Sequence, residues 1–548
     1  MASPALRSRT GTLLGFAGLL ASPRARETLG FCLLVVLHVL PIWAFSPFST
    51  QDGPAHIYNA LALLHRTRGP FSLFYQVNRT LQSANWPLHL TLGVLASVFS
   101  PVVGEKILQA SYVVVFVFAF RHALHRIAPR APRAMSWAVF PFVYSYSFHM
   151  GFYAYCFGTA LFLVGLGSWA TWRARPGKRR GVRFAALLVV LFLVHPLPLV
   201  LLVVVPPVEL GFRAALALRR ARRRRDWRDA VRRAALARLV RLSLWSAPAL
   251  LLHVISSRGR AGQLEWLPVL RSAVGFFVLS SLSSHDVREF VGSVSVAILV
   301  WGSGAFLLIG RRSRRWEPRD SWLAAALALS VAVVLFPNQV SGGSFIKLRI
   351  QMLPYLAVLL WIGIEAKRRQ TWSWLARALA LASVLMIGVR FPAYRKLSRE
   401  VTEYGTAVAA IAPGSSVLPV TIGTPSNSLR VDVLKHAVDR FSAERGILDL
   451  GNYQVLESYF PLHARREFES GLWHAYPLMT HCNHRAWAQL PLVPDYVILT
   501  VRQAVASAVA GRSEDARKEI ACELRRGTPP YPEVARALGG ALRVYRLK

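Results

Sequence analysis

Residues 30–45 read GFCLLVVLHVLPIWAF, and residues 51–59, just beyond them, read QDGPAHIYN. The first stretch is a run of apolar residues preceded by Arg24 and Arg26. No small-x-small cleavage site follows it, so it reads as a retained helix and not as a removable signal peptide. Roughly 17–25 apolar residues suffice to cross a bilayer core. Further runs near that length follow: Ile107 to Phe120, Met135 to Ser147, Phe152 to Trp172, Phe184 to Val194, and one after His195-Pro196 that ends near Phe212. Later runs are Leu242 to Ile255, Val291 to Ile309, Trp322 to Phe336, Ile350 to Ala366 and Trp372 to Val389. Apolar residues make up 54% of the 548. This pattern predicts an α-helical polytopic membrane protein with about 11 transmembrane helices. The short run Trp86 to Phe99, ending at Ser100-Pro101, reads as either a transmembrane helix or an outer juxtamembrane one, and the count takes it as not crossing.

The net charge of +39 does not point to nucleic acid. The basic residues fall in short gaps between apolar runs: Arg121 to Arg133, Arg173 to Arg183, Arg213 to Arg241, Arg311 to Arg319 and Lys367 to Arg369. That is the positive-inside pattern. With the N-terminus inside, and a reversal of the chain at His195-Pro196, every one of these gaps falls on the cytoplasmic side. The run Arg222 to Arg225 reads as part of this retention signal, although such a block beside a membrane also suits anionic lipid head groups. The opposite side then gathers Asp52 to His56, His149 to Tyr153, His195-Pro196, Ser284 to Glu289 and the loop 338–349. Ionisable groups at a membrane are costly and tend to mark a functional path.

Residues 1–390 therefore form the membrane part, with a first outer loop at 46–85. Residues 391–548 form an extracytoplasmic domain. In it Ser416 to Thr421, Tyr496 to Val501 and Ala541 to Leu547 read as strands, and Leu429 to Glu444 and Ser513 to Leu524 as helices. That alternation predicts a small soluble α/β domain. Cys32 and Cys156 sit in apolar runs as packing residues, whereas Cys482 and Cys522 could pair in an oxidising compartment. His481-Cys482-Asn483-His484 fits no zinc spacing and reads as a surface loop.

Asp52 is the most informative single residue. It lies just past the first helix, and Pro54 can open a short helix behind it. Taken locally, Asp before Gly-Pro is an ordinary turn and cap residue. In its setting, however, the chain resembles the GT-C superfamily of membrane glycosyltransferases, whose first outer loop carries an acidic motif after the first helix and whose last helix is often followed by a soluble domain. The Asp-Gly-Pro-Ala-His stretch, His149 to Tyr153 and the segment from Gly342-Gly343 through Arg349 to Pro354 carry this resemblance to bacterial membrane proteins of that kind. The paired acidic motif of many relatives is absent, and His56 is the nearest second group.

The resemblance implies transfer of a sugar from a polyprenyl-phosphate donor to an envelope glycan, lipid or protein acceptor. It places the enzyme in the bacterial cytoplasmic (inner) membrane, among membrane lipids. It makes Asp52 the general base, with His56 orienting it or joining it at a divalent metal, Mg or Mn. Lys347 and Arg349 would clamp the departing phosphate, and His195, His149 and Tyr153 would bind substrate. With one candidate carboxylate and no obvious nucleophile, an inverting single displacement is expected. A transporter or flippase of lipid-linked sugars would need polar residues deep in several spans, where His195 is almost alone. A non-catalytic envelope scaffold is the third reading. The outer group His285, Asp286, Arg288 and Glu289 reads as a solvated loop, and the aromatics from Tyr144 to Tyr155 as an interfacial belt.

Overall fold

The computed structural model describes residues 22–65, 69–78, 85–221, 225–257, 264–310, 315–340, 343–366, 372–422, 430–457, 459–478, 487–501 and 531–548. Cys482, Cys522, the 481–484 motif, the helix expected over 513–524 and Arg222 to Arg224 lie outside them. Among the described residues nine helices are long and apolar enough to cross a membrane. They are Pro23–Ala44, Pro101–Ile127, Tyr153–Ala174, Pro196–Arg220, Trp227–Ser256, Glu289–Ile309, Pro318–Leu335, Ile346–Ala366 and Ser373–Val408. The chain is a multi-pass membrane protein.

Two of the expected spans take a different form. Phe184 to Val194 is the end of a 17-residue helix, Lys178–Val194, which begins in the basic gap. It stops at His195, whose extended backbone reverses the chain and whose Nδ1 accepts from Leu197 N (3.2 Å) to cap the next helix. The other, Met135 to Ser147, is not an α-helix. It is a 3₁₀ stretch, Arg133–Phe142, followed by a single turn, Tyr146–His149. This segment runs beside the first helix in the same direction. Phe140 packs on Phe31 (5.4 Å between ring centroids), Tyr144 OH donates to the His38 carbonyl, and Phe148 packs on Phe48 (6.1 Å). Irregular backbone is tolerated at membrane depth only where protein covers it. Here Ser136 and Ala138 through Gly151 are all buried. The aromatics of this region are therefore core residues, and the expectation of an interfacial belt fails because Tyr144, Tyr146, Tyr153 and Tyr155 all point into protein.

The expected solvated loop 284–289 is also corrected. Glu289 and His285 are buried. Glu289 accepts from the backbone N–H groups of Ser284, His285 and Asp286 and pairs with Arg390 Nε at 2.8 Å. Only the Asp286–Arg288 pair conforms to the expectation of exposed charge.

The last membrane helix continues without a break past residue 390 to Val408 and carries the C-terminal domain. Its sheet has the strand order β3-β2-β5-β7-β6, with β2 at Ser416–Ile422, β3 at Leu448–Asp449, β5 at Tyr496–Val501, β6 at Glu533–Ala537 and β7 at Leu542–Arg546. β2 is parallel to β3 and β5, and β7 is antiparallel to β5 and β6. The three expected strands are all present. Over 429–444 the helix shrinks to Ala437–Ser442, and Arg466–Leu478 adds a helix not expected. The segment between the first two long helices is woven into this domain. Its strand β1, Tyr75–Val77, pairs antiparallel with β4, Leu462–Ala464.

A buried charge pair fastens the two parts. Glu105 Oε2, at the start of the second long helix, lies 2.6 Å from Arg440 Nη2 of the C-terminal domain, and both side chains are almost fully withdrawn from water. Removing one partner strands the other charge, which costs about 3–5 kcal/mol. Arg440→Met is expected to lower the thermal unfolding temperature of the detergent-solubilised protein sharply. The double variant Arg440→Met with Glu105→Gln should recover most of the loss, and equal loss in both would show that the charge is not what matters.

Candidate active site

The helix Gly53–Leu64 opens with Pro54, as expected, and every residue from Gly53 to Leu63 is buried. Asp52 occupies the cap position, but its side chain makes no cap hydrogen bond. Its carboxylate turns elsewhere. Oδ1 accepts from Gln51 Nε2 (3.2 Å) and Oδ2 from Tyr453 OH (3.1 Å). His436 Nε2 lies 3.8 Å from Oδ1. Burial holds His436 down to about 3, so it is neutral and the contact is not an ion pair.

The backbone behind Asp52 is fixed by the second motif. Gln51 N donates to the His149 carbonyl (3.1 Å) and Asp52 N to the Met150 carbonyl (3.0 Å). Gly151 has a φ of +80°, and a Cβ there would sit 2.5 Å from Gly53 N. Only glycine allows both that backbone and that approach. On the other side a Cβ on Gly53 would meet Glu105 Oε1 at 2.1 Å and Tyr153 OH at 2.6 Å. The two motifs noted in the sequence thus interlock.

They form part of the wall of a cavity of about 710 Å³ at the seam between the helical bundle and the C-terminal domain. Of the expected site residues, Asp52, His56, His195 and Arg349 line it. Arg349 lies over the Phe152 ring, 3.8 Å from its centroid, and its Nε has no hydrogen-bond partner among the described residues. Three others do not line it. Lys347 Nζ donates to the Val334 carbonyl at 2.6 Å. His149 is buried between Ser284 Oγ (2.9 Å) and Tyr394 OH (2.8 Å). Tyr153 OH donates to Glu105 Oε1 and receives from Gln109 Nε2, each at 2.7 Å. These three are tied into the scaffold behind the cavity.

The C-terminal domain supplies groups that the sequence did not suggest: Lys435, His436, Tyr453, Glu457 and Tyr459. Glu457 is a second carboxylate in the wall. No local signal marks these residues, because their relation to Asp52 arises only when the domain folds back onto the outer loop.

Burial pushes the Asp52 carboxyl up, against the opposing pull of Lys435, the bonds from Gln51 and Tyr453, and Arg349. Such a carboxylate is a stronger base than an exposed one. Burial, then His89 and His436, holds His56 well below its usual value, so the imidazole is neutral. Both Asp52 oxygens and His56 Nδ1 are engaged by protein donors, and no third His, Cys, Asp or Glu completes a ligand group among the described residues.

No protein-family model matches the chain, and no curated protein matches it. Among solved structures, the apo-state crystal structure of ArnT from Cupriavidus metallidurans is similar. The match has 11% identity, covers 94% of this chain and 98% of that one, and has a TM-score of 0.46.

Beneath the site Asp439 and Asp449 form a wholly buried carboxyl pair. Burial pushes both up; repulsion from Asp449 drives Asp439 further, while hydrogen bonds from Asp439 and the Gly451 N–H hold Asp449 to about 6. A carboxyl raised in the fold binds a proton that the unfolded chain releases. Its stabilising contribution is complete below 3.8 and is lost as the pH rises through about 6. Asp449→Asn is expected to flatten the decline of unfolding temperature between these values, measured by thermal scans across that range. A decline as steep as that of the wild type would refute the assignment.

Proposed function

We propose that this protein is a membrane glycosyltransferase that moves a sugar from a polyprenyl-phosphate carrier to an acceptor hydroxyl at the outer face of the bacterial cytoplasmic membrane. The observation that carries the reading is the composition of one cavity. A buried carboxylate with a raised proton affinity and an arginine with an uncommitted Nε share it. One side is built from membrane helices, through Leu197, Val200, Phe336 and Ile346, and the other from the C-terminal domain. A lipid-borne sugar needs such a seam, with apolar wall for the chain and polar wall for the sugar phosphate. The resemblance carried by Asp52 and its neighbours supports the same reading.

The roles follow from the chemistry. Asp52 takes the proton of the acceptor hydroxyl while that oxygen attacks the anomeric carbon. The bond from that carbon to the phosphate oxygen breaks, and charge accumulates on the departing lipid phosphate. Arg349 meets this charge with a planar fork of donors, and Lys435 adds a second cation from the opposite wall. The cavity holds donor and acceptor together, which removes much of the entropic barrier. His195 lies in the floor of the cavity, and His56 supports Asp52. No metal-dependent step is assigned to this donor set. The sugar, the acceptor and the outer location of the C-terminal domain form part of the proposal.

The test compares envelope glycans and polyprenyl-phosphate lipids by mass spectrometry in cells lacking the protein and in cells rescued with wild type, Asp52→Asn or Arg349→Lys. Loss of one glycan sugar with accumulation of its lipid carrier, restored by wild type alone, is expected. Arg349→Lys should restore transfer weakly, because a point charge replaces the fork. Full rescue by well-expressed Asp52→Asn would overturn the catalytic assignment and favour a transporter or a scaffold.

A further inference from the structure

We infer that one turn of the C-terminal domain, residues 452–454, is the positioning element of the active site, holding Asp52 through Tyr453 and His56 through Gln454. The inference rests on the transferase reading above for its consequence, but the geometry stands without it.

The turn is a short 3₁₀ helix, Tyr453–Leu456, capped by Asn452. Two neighbouring residues on it reach the two groups singled out in the outer loop. Tyr453 OH donates to Asp52 Oδ2 (3.1 Å), and Gln454 Nε2 lies 3.2 Å from His56 Nδ1. The turn itself is held by a buried chain of amides. Asn59 Nδ2 donates to the Ala55 carbonyl (2.8 Å), which settles which end of Asn59 is which. The Asn59 and Asn452 amides then pair reciprocally, at 3.1 and 3.0 Å. Asn59 Nδ2 also donates to Gln454 Oε1 (3.2 Å). As placed, Gln454 turns Oε1 toward Asn59 and, at 3.4 Å, toward His89 Nε2, and turns Nε2 toward His56 Nδ1.

A tautomer follows from this. Nε2 of Gln454 can only donate, so His56 Nδ1 accepts and the ring proton sits on His56 Nε2. The His56 backbone N donates to the Asp52 carbonyl (3.1 Å). The Met150 carbonyl receives Asp52 N. His56 thus acts as a strut between the turn and the backbone that carries Asp52. It is a positioning residue, and so are Tyr453 and Gln454. The catalytic carboxylate belongs to the membrane part, yet its orientation is set by the C-terminal domain.

The isosteric variant Gln454→Glu tests this without emptying any space. An ionised carboxylate in that place can only accept, so at a pH that keeps it ionised His56 is expected to carry its proton on Nδ1. Nitrogen NMR of the purified full-length protein in lipid nanodiscs, labelled with ¹⁵N-histidine, reads the tautomer directly. The His56 signals are assigned by their loss in His56→Asn. We expect an Nε2-protonated ring in the wild type and an Nδ1-protonated ring in Gln454→Glu. In membranes carrying their own lipid-linked donor, transfer should fall about tenfold for Tyr453→Phe, the loss of one hydrogen bond to a charged group. Gln454→Glu should fall at least as far and, because it buries a charge, lower the unfolding temperature, whereas Tyr453→Phe keeps it near that of the wild type. An unchanged His56 tautomer in Gln454→Glu, or full transfer by both variants, overturns the inference. Asp52→Asn is run in parallel. If it transfers normally the transferase reading fails, whereas the NMR result still decides the role of the turn.

Discussion

The structure depends on a charge pair that water cannot reach. Glu105 stands at the mouth of a membrane helix and Arg440 on a short helix of the C-terminal domain, and neither side chain has appreciable exposure. Separating them would leave an isolated buried charge on each side. The pair therefore fixes where the domain meets the bundle. Everything at the seam follows from that placement: the packing of Gly53 against Glu105, the bond from Tyr153 to the same carboxylate, and the position of Tyr453 over Asp52.

The seam explains why the polar residues around it divide into two kinds. Asp52 and Arg349 face open volume. His149, Tyr153 and Lys347 are committed to protein partners and hold the first two in place. A site of this kind needs both, because a carboxylate in an apolar setting keeps its orientation only if its donors are fixed. The glycines at 53 and 151 serve the same end by letting two backbones approach where side chains would collide.

Much of the fold was legible in the sequence, because a lipid environment imposes one rule on length and composition. Apolar runs became helices, and the basic gaps lie between them. The reversal at His195-Pro196 was readable from a proline that cannot continue the preceding helix. The strands at 416 and 496 were readable from short β-branched runs between turn signals. Met135 to Ser147 was misread as a helix because composition reports burial and not backbone form. Glu289 was misread as solvated because its partner, Arg390, is distant in sequence. For the same reason Asp52 could be found by its position after the first helix, whereas Tyr453 and Gln454 could not be found at all. Long-range pairing leaves no periodic trace.

The irregular segment 133–149 also bears on biogenesis. A transmembrane helix satisfies its own backbone and can enter the bilayer alone. A 3₁₀ stretch broken by Pro141 cannot shelter itself so well. Its neighbours are the first helix, the helix Pro101–Ile127 and the last helix, Ser373–Val408. Two of these precede it in synthesis and the third is made at the end of the membrane part. The cover over this segment is therefore complete only once that last helix has been made.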